Sequence, residues 1–480
     1  MSFEISFDLP PDWQLKTVQE LVNEKILEKP LDGNHGGIHP KASDYVEKGI
    51  PFIMASDLEA GLVNFSSCKY ISLQQAGKLR KGFAQEGDVL LSHKATIGRT
   101  AIVQPNDSEF IVLTPQVTYY RVKDENKLNN IYLKSFFDSY FFQTILNQWA
   151  GSGSTRAYLG ITEQLKLPVI VPPIDSQIEI ASFANNLNSK IHLNNKINQT
   201  LESIAQAIFK SWFIDFDPVR AKIAAKQEEK DPELAAMCSI SGKCEAEIEQ
   251  MAEDDFAELQ ATAALFPDEF VDSELGEIPK GWEISKISKI GKVITGKTPS
   301  SKIENSFAEK GTFFITPTDI DTEVFVTNTN RYLSEHGEIA IKNSKIDEGS
   351  LCITCIGSQM GKVVITPKSA FTNQQINSIL LFNSTLRNYI FLNLRQRRDE
   401  IFLIGSGGST MPIINKSTFE SLNLILPDLA LIRKFDNFIS PFFNNILSNS
   451  VENIELKNIR DALLPELLAG KINVFMLKDM

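Results

Sequence analysis

Apolar residues recur at Ile180, Phe183, Leu187, Ile191, Ile197, Leu201, Ile204 and Ile208, mostly in steps of three and four. That spacing lines them up as one stripe and predicts an amphipathic helix over 176–213. No Pro or Gly interrupts the stretch, and Pro172-Pro173 stands just before it. Asp175 or Ser176 is placed to cap it, satisfying amides that the first turn leaves free. At 1.5 Å per residue the helix is roughly 55 Å long. A helix of that length with one narrow stripe is expected to lie against another long helix.

The chain supplies that partner. Shifted by 255 positions, Phe183 falls on Phe438, Leu187 on Phe442, Ile191 on Ile446, Leu201 on Leu456, Ile204 on Ile459 and Ile208 on Leu463. Upstream, Thr155 falls on Thr410, Leu167 on Leu422 and Pro172 on Pro427, with no gap as far as Ile208. Further upstream the offset grows. Gly87–Ser92 matches Gly349–Thr354, Ile97-Gly98-Arg99 matches Met360-Gly361-Lys362, and Thr114-Pro115-Gln116 matches Thr372-Asn373-Gln374. Pro11-Asp12-Trp13 matches Lys280-Gly281-Trp282. A tandem duplication of a globular domain followed by a long helix accounts for all of these. In the second helix, over 429–468, Pro441 is expected to kink or restart the chain.

Upstream of the first helix the pattern changes. Val89–Leu91, Thr100–Val103, Val117–Tyr120 and Val169–Val171 are β-rich runs punctuated by Pro, Gly, Asn and Asp. Asn129 to Trp149 reads as one helix. A Gly/Ser loop follows at 151–156, with a counterpart at 405–410. Small residues with hydroxyls let a backbone approach a phosphate closely, and an ordinary flexible loop has the same composition. Segment 82–103 reads strand, polar loop, strand. Its loop carries Ser92, His93, Lys94, Thr96 and Arg99, and the second copy carries Thr354, Cys355, Ser358, Gln359 and Lys362. Arg or Lys after Gly suits a phosphate or a guanine.

Charge changes the picture at one place. A net charge of −12 argues against nucleic acid only if it is evenly spread, and residues 221–278 alone hold 16 acidic and 4 basic side chains. Residues 279–427 hold 17 basic and 13 acidic ones. The acidity is therefore local and does not exclude DNA from the rest. The acidic segment is Ala/Glu-rich, reads as helical up to a linker at 267–279, and has no counterpart in the second half. Its charge suits a protein partner. Just before it, Trp212, Phe213 and Phe216 form an aromatic cluster that serves either as a buried cap or as a docking surface.

Several motifs do not carry chemistry. Gly291–Thr298 (GKVITGKT) has phosphate-loop spacing, but Pro299 follows where a helix must open, so a turn through Gly296 and Pro299 is the better reading. Cys352 and Cys355 form C-x-x-C, but the first copy has Leu90 and His93 there, and strand-core cysteines fit better than a metal site. No Asn/Asp-Pro-Pro-Tyr/Phe methyltransferase signature, G-x-S-x-G or H-E-x-x-H is present. Five cysteines and no signal-peptide pattern point to a reducing cytoplasm, and no run is long enough to span a bilayer.

The segments Gly151–Thr155 with Leu167–Pro173, and Gly405–Thr410 with Leu422–Pro427, each run straight into a long helix. With Gly87–Val103, Gly296–Pro299 and Lys210–Asp217, their order resembles the DNA-specificity subunit of type I restriction–modification systems over essentially the whole chain. The resemblance implies an α+β fold. It is a tandem duplication of a mixed α/β target-recognition domain, each copy followed by a long helix, the two helices pairing as an antiparallel coiled coil. The expected divisions are a first domain over 1–175, a first helix over 176–220, the acidic insertion over 221–278, a second domain over 279–428, and a second helix with tail over 429–480. It implies double-stranded DNA as ligand, with a bipartite asymmetric site, two methyltransferase subunits, and restriction subunits in the full complex. It implies no catalytic residues, no metal and no cofactor on this chain; S-adenosylmethionine and ATP would belong to the partners. DNA-contact candidates are His93, Lys94, Thr96, Arg99, Gln116, Ser154 and Arg156 in the first copy. In the second they are Lys297, Thr298, Ser358, Gln359, Lys362, Gln374, Ser409 and Thr410. Trp212, Phe213 and Phe216 are the partner-binding candidates. The competing readings are a two-domain scaffold that binds only proteins, and an enzyme with its own chemistry.

Overall fold

Short β-branched and aromatic runs form sheets here because Gly, Pro and Asn end them before a helix can nucleate. In the computed structural model, which describes residues 9–151, 158–407 and 412–479, the chain falls into two units. The first comprises Met1–Leu193 with Asn453–Met480, and the second Asn194–Glu452.

In the first unit, β1 (Leu31–Asp32), β2 (Val89–Lys94), β3 (Thr96–Ile102) and β4 (Val117–Tyr120) belong to a six-stranded sheet. Its order is β1-β4-β2-β3, continued by Gly61–Val63 and Leu58–Glu59. A five-stranded sheet contains Ile50–Ile53 and Ile111–Leu113. The stretch expected as one helix is two, Asn130–Asp138 and Tyr140–Gly151. Ser139 breaks it with extended backbone, its hydroxyl donating to Phe136 O and accepting from Phe142 N. Local side-chain bonding of this kind competes with a continuous helix. Pro168–Val171 pairs antiparallel with Gln14–Thr17 and leads into α1 (Ile174–Phe213). The helix begins two residues earlier than expected, so Asp175 sits inside the first turn, where the positive end of the dipole favours it.

The second unit repeats the plan with β5 (Gly291–Thr295), β6 (Leu351–Thr354), β7 (Val363–Ile365) and β8 (Ile376–Leu381). They form a four-stranded sheet in the order β5-β8-β6-β7. Gly291 lies inside β5, where an added Cβ would stand 2.7 Å from Leu380 O, so the phosphate-loop spacing is a strand packed closely on its neighbour. Cys352 and Cys355 are buried beside β8. Burial pushes their thiols up to about 12 and about 11. The duplication extends to single hydrogen bonds. Buried Tyr132 donates to Ile170 O at 2.8 Å, and buried Tyr389 donates to Ile425 O at 2.6 Å.

α2 (Leu429–Leu468) runs through Pro441 without restarting. A proline removes one donor, and the buried flank of Phe435, Ile439 and Phe443 outweighs that loss. Within the first unit Arg460 donates to Asn188 Oδ1 at 2.8 Å, and Leu464, Leu467 and Leu468 join Ile180, Ala181 and Ala184 in one core. Within the second, Asn194 donates to Glu452 at 2.7 Å and Asn449 to Asn198 at 2.9 Å, while Phe209 faces Phe435 at 6.0 Å. Partner numbers fall as residue numbers rise, so the helices run antiparallel in each unit. Part-buried amide pairs such as Asn198–Asn449 help to fix such a register, because any slip strands their polar groups.

The aromatic cluster at the end of α1 is core. Trp212, Phe213 and Phe216 are 6, 2 and 8 % exposed. Phe213 meets Tyr389 at 4.9 Å, Phe435 at 5.0 Å and Trp282 at 5.9 Å, and Phe216 meets Trp282 at 5.6 Å. For Phe213 and Phe216 the expectation of a partner contact is therefore corrected, since they are spent on closing the second unit; Trp212 shares that core and also lines a groove beside the acidic insertion. The acidic insertion is helical as expected, with helices Asp217–Gln227, Pro232–Ser241 and Glu253–Ala263. Buried Lys222 ties it down, donating to Glu233 and to Phe266 O at 2.8 Å each. The linker expected at 267–279 is a β-hairpin, Phe270–Ser273 against Gly276–Pro279, turning through Gly276 at a φ of +92°. Phe213→Ala is expected to lower stability by about 3–5 kcal/mol, as deletion of a buried aromatic does, measured by urea denaturation. A docking residue at the surface would leave the midpoint unmoved.

Candidate nucleic-acid interface

The antiparallel register gathers the polar candidates at one end of each sheet. In the first unit β1 ends at Asp32, β2 ends at Lys94, β3 starts at Thr96 and β4 starts at Val117. Asp32 pairs with Thr118, Val117 with Ser92, and Lys94 with Thr96. Gln116 and Lys94 share a cleft of about 250 Å³ with His39, Tyr45 and Phe52. Lys94, Thr96 and Arg99 are exposed and Gln116 is half-buried. Ala95 makes the turn at a φ of +66°. The Arg99 amide donates to Ser92 Oγ at 2.8 Å, and its guanidinium donates to Ala55 O at 3.2 Å, which holds the cation over the edge of the sheet.

His93 does not stand with them. It is fully buried, with Nδ1 2.8 Å from Thr118 Oγ1 and Nε2 4.0 Å from Asp32 Oδ2. Burial drives its pKa down to about 4, against the opposing pull of Asp32. The strand runs three residues further than the sequence suggested, through Lys94, and Leu159 N donates to His93 O at 3.0 Å, which covers the position. His93 is a neutral scaffold group in this structure and is withdrawn as a direct DNA contact.

In the second unit β5 ends at Thr295, and Gly296 turns with no room to spare: an added Cβ would lie 2.1 Å from Asn373 O. Lys297 is exposed, its amide donating to Thr372 O at 2.9 Å. The Thr298 hydroxyl donates to Gln374 at 2.7 Å. Ser358 and Gln359 are exposed on the loop between β6 and β7. Lys362 is half-buried, its amide bonded to Thr354 Oγ1 at 3.0 Å and its ammonium to Asp321 at 2.6 Å. Arg99 and Lys362 thus occupy matching places, as the repeat predicts. Ser154, Arg156, Ser409 and Thr410 lie outside the described residues. Their flanks are described: Tyr158 bridges to Lys94, Ile413 bridges to Ile356, and Gly357 N donates to Pro412 O at 2.9 Å.

The structural register corrects one match. His93 N donates to Gln116 O and Cys355 N to Gln375 O, so the counterpart of Gln116 is Gln375 rather than Gln374. Strand pairing likewise sets Asp32 against Thr295 and Gly33 against Gly296. Asn34 and His35 therefore correspond to Lys297 and Thr298, and all four follow a strand-ending glycine. His35 and Gln375 were missed. The signal was present: Gly33 and Gly296 differ by the same 263 positions as Gly98 and Gly361.

Two sheet ends rich in exposed Lys, Arg, Gln, Ser and Thr, with no cluster among the described residues that would hold a metal ion, define a polar recognition surface of duplicated design. The chain matches the type I restriction modification DNA specificity domain over residues 10–203 and 279–458, and it belongs to that family. Its family role is DNA specificity rather than catalysis.

Among its relatives is the type I restriction enzyme HindI specificity subunit of Haemophilus influenzae, 34 % identical over 430 residues, covering 85 % of this chain and 91 % of that one. The MjaIX specificity subunit of Methanocaldococcus jannaschii is 24 % identical over 97 % of this chain and 95 % of that one. The crystal structure of the type I S subunit from M. genitalium shares the fold, with a TM-score of 0.54 at 11 % identity, covering 97 % of this chain and 98 % of that one.

Because His93 is held near 4 while an unfolded histidine titrates near 6.5, the unfolded state takes up the proton first as pH falls. Stability is therefore expected to drop between about pH 6.5 and 4, with His93 contributing on the order of 3 kcal/mol. His93→Gln, followed by urea denaturation at each pH, is expected to remove that component. An unchanged profile would mean that the ring is not buried neutral.

Proposed function

We propose that the two domains each read one half of a split, asymmetric site in double-stranded DNA. The observation that supports this is the pair of equivalent sheet ends with different polar side chains: Lys94, Gln116 and Arg99 in one, Thr298, Gln375 and Lys362 in the other. Readers that match in scaffold and differ in chemistry suit two unlike half-sites, whereas a symmetric dimer suits a palindrome. In this reading the two long helices pair as a coiled coil along their whole length and set the unspecified spacer. Two methyltransferase subunits bind the chain, restriction subunits join them in the cytoplasm, and S-adenosylmethionine and ATP sit on those partners.

The acidic insertion contacts a methyltransferase subunit in this proposal. It borders a groove of about 840 Å³ in the second unit, lined by Ile208, Ile240, Met251, Leu259 and Phe438, with Asp255 and the Glu258–Lys434 ion pair at its edge. Phe438 is 53 % exposed there. An apolar floor with an acidic edge suits an amphipathic, basic segment. Replacing Glu253, Asp254 and Asp255 by Lys is expected to weaken co-purification of the methyltransferase subunit. Full recovery of the complex would remove the insertion from the interface.

The function is tested by co-expressing the chain with its methyltransferase subunits and mapping methylated adenines by single-molecule sequencing. A split motif modified in both halves is expected; an active complex that modifies no split motif would overturn the reading. Lys94→Ala and Lys297→Ala are expected to weaken binding of all duplexes alike. Each reduces the slope of log affinity against log salt by about one if its ammonium meets a phosphate.

A further inference from the structure

At the end of β1 the chain is clamped. An added Cβ on Gly33 would lie 1.9 Å from Leu113 O, so only glycine permits the close approach of the turn to its neighbour. Buried Asn34 then donates to Lys81 O at 2.6 Å and accepts from Arg80 N at 2.9 Å. His35 follows on this rigid base with 48 % of its side chain exposed. Its Nε2 lies 2.8 Å from Oδ2 of Asp32, whose other oxygen accepts from the Lys81 ammonium. Asp32 itself is 3 % exposed.

We propose that His35 is a base-reading side chain of the first recognition domain, oriented by Asp32, and that Thr298 holds the same place in the second. This rests on the DNA-reading role proposed above. Burial pushes the Asp32 carboxyl up, and the hydrogen bonds and charges of Lys81 and His35 more than offset that, so it stays ionised. An ionised carboxylate only accepts, so His35 Nε2 carries a proton, and a ring holding that single proton offers Nδ1 as an acceptor. An acceptor at that place suits the exocyclic amine of adenine or cytosine in the major groove. Fixing the ring before DNA arrives reduces the ordering cost of binding.

The second domain keeps the geometry and changes the chemistry. Behind His35 stand Asp32, His93 and Thr118; behind Thr298 stand Thr295, Cys355 and Asn377. Asn377 accepts from Thr295 at 2.7 Å and donates to Cys355 Sγ at 3.2 Å, just as Thr118 is bonded to His93. The exchange of a charged, histidine-based support for a neutral one accompanies the exchange of an imidazole for a hydroxyl at the exposed position.

The test maps the methylated motif for the wild type, His35→Ala, His35→Gln, Asp32→Asn and Thr298→Ala, each co-expressed with the methyltransferase subunits. His35→Ala is expected to reduce discrimination roughly 10- to 100-fold at one base of one half-site and to leave the other half unchanged. Asp32→Asn is expected to relax the same base, whereas a merely structural role would lower methylation at all sites and keep the motif. Thr298→Ala is expected to relax one base of the opposite half. If the wild type reads a split motif and His35→Ala or His35→Gln, melting like the wild type, reads the same motif with equal discrimination, the assignment is wrong while the DNA-reading role stands. A wild type without a split motif overturns both.

Discussion

Each core is closed by a helix end that the chain delivers from far away in sequence. In the second unit the closing residues are Phe209, Trp212 and Phe213 of α1, packed around Tyr389, Phe435 and Trp282. In the first they are Leu464, Leu467 and Leu468 of α2, packed with Ile180 and Val171. Each of these residues removes a large apolar area from water, which outweighs the entropy of ordering a long connection. Within each unit the segments of the two helices run antiparallel. Asn198 and Asn449 then hold the register at a polar contact that apolar packing alone would leave free to slide.

The recognition surface depends on that closure at one remove. Neither sheet end is built by a helix of its own; it is built by four strands whose pairing brings a strand-ending glycine, a Gln and a basic loop to the same edge. The buried groups beneath, Asp32 with His93 and Thr118 in one unit and Cys355 with Asn377 in the other, have little solvent to satisfy them and must pair with their neighbours, exposed Thr295 donating to Asn377. That requirement makes the two edges rigid while leaving the exposed side chains free to differ. Duplication with divergence therefore costs little at the tip and is constrained below it.

The cations at the two sheet ends are partly committed. Lys362 is bonded to Asp321, and Arg99 to two backbone carbonyls. Such groups present a fixed direction instead of a mobile charge, which favours defined contacts over a diffuse electrostatic footprint. A net charge of −12 is compatible with this, since the acid-rich insertion packs as its own helical layer in the second unit, with Ala236, Met237 and Ile248 inside.

The sequence by itself determined the duplication, the two long helices and the family. Apolar spacing at Ile180–Ile208 and its echo at Phe438–Leu463 depend only on helical geometry, which is local. The strand runs at Val89 and Val117 were legible for the same reason. Four matters were decided by tertiary structure alone. His93 was read as exposed because its burial comes from Thr118 and Leu159, distant neighbours that periodicity does not name. Trp212 and Phe213 had equal claims as core and as docking surface until Tyr389, Phe435 and Trp282 covered them. Pro441 stays inside one helix because packing on its flank exceeds the loss of one hydrogen bond. The equivalence of His35 with Thr298 is set by strand register between segments some 80 residues apart, and that of Gln116 with Gln375 by backbone bonds to His93 and Cys355, neither of which a local pattern encodes.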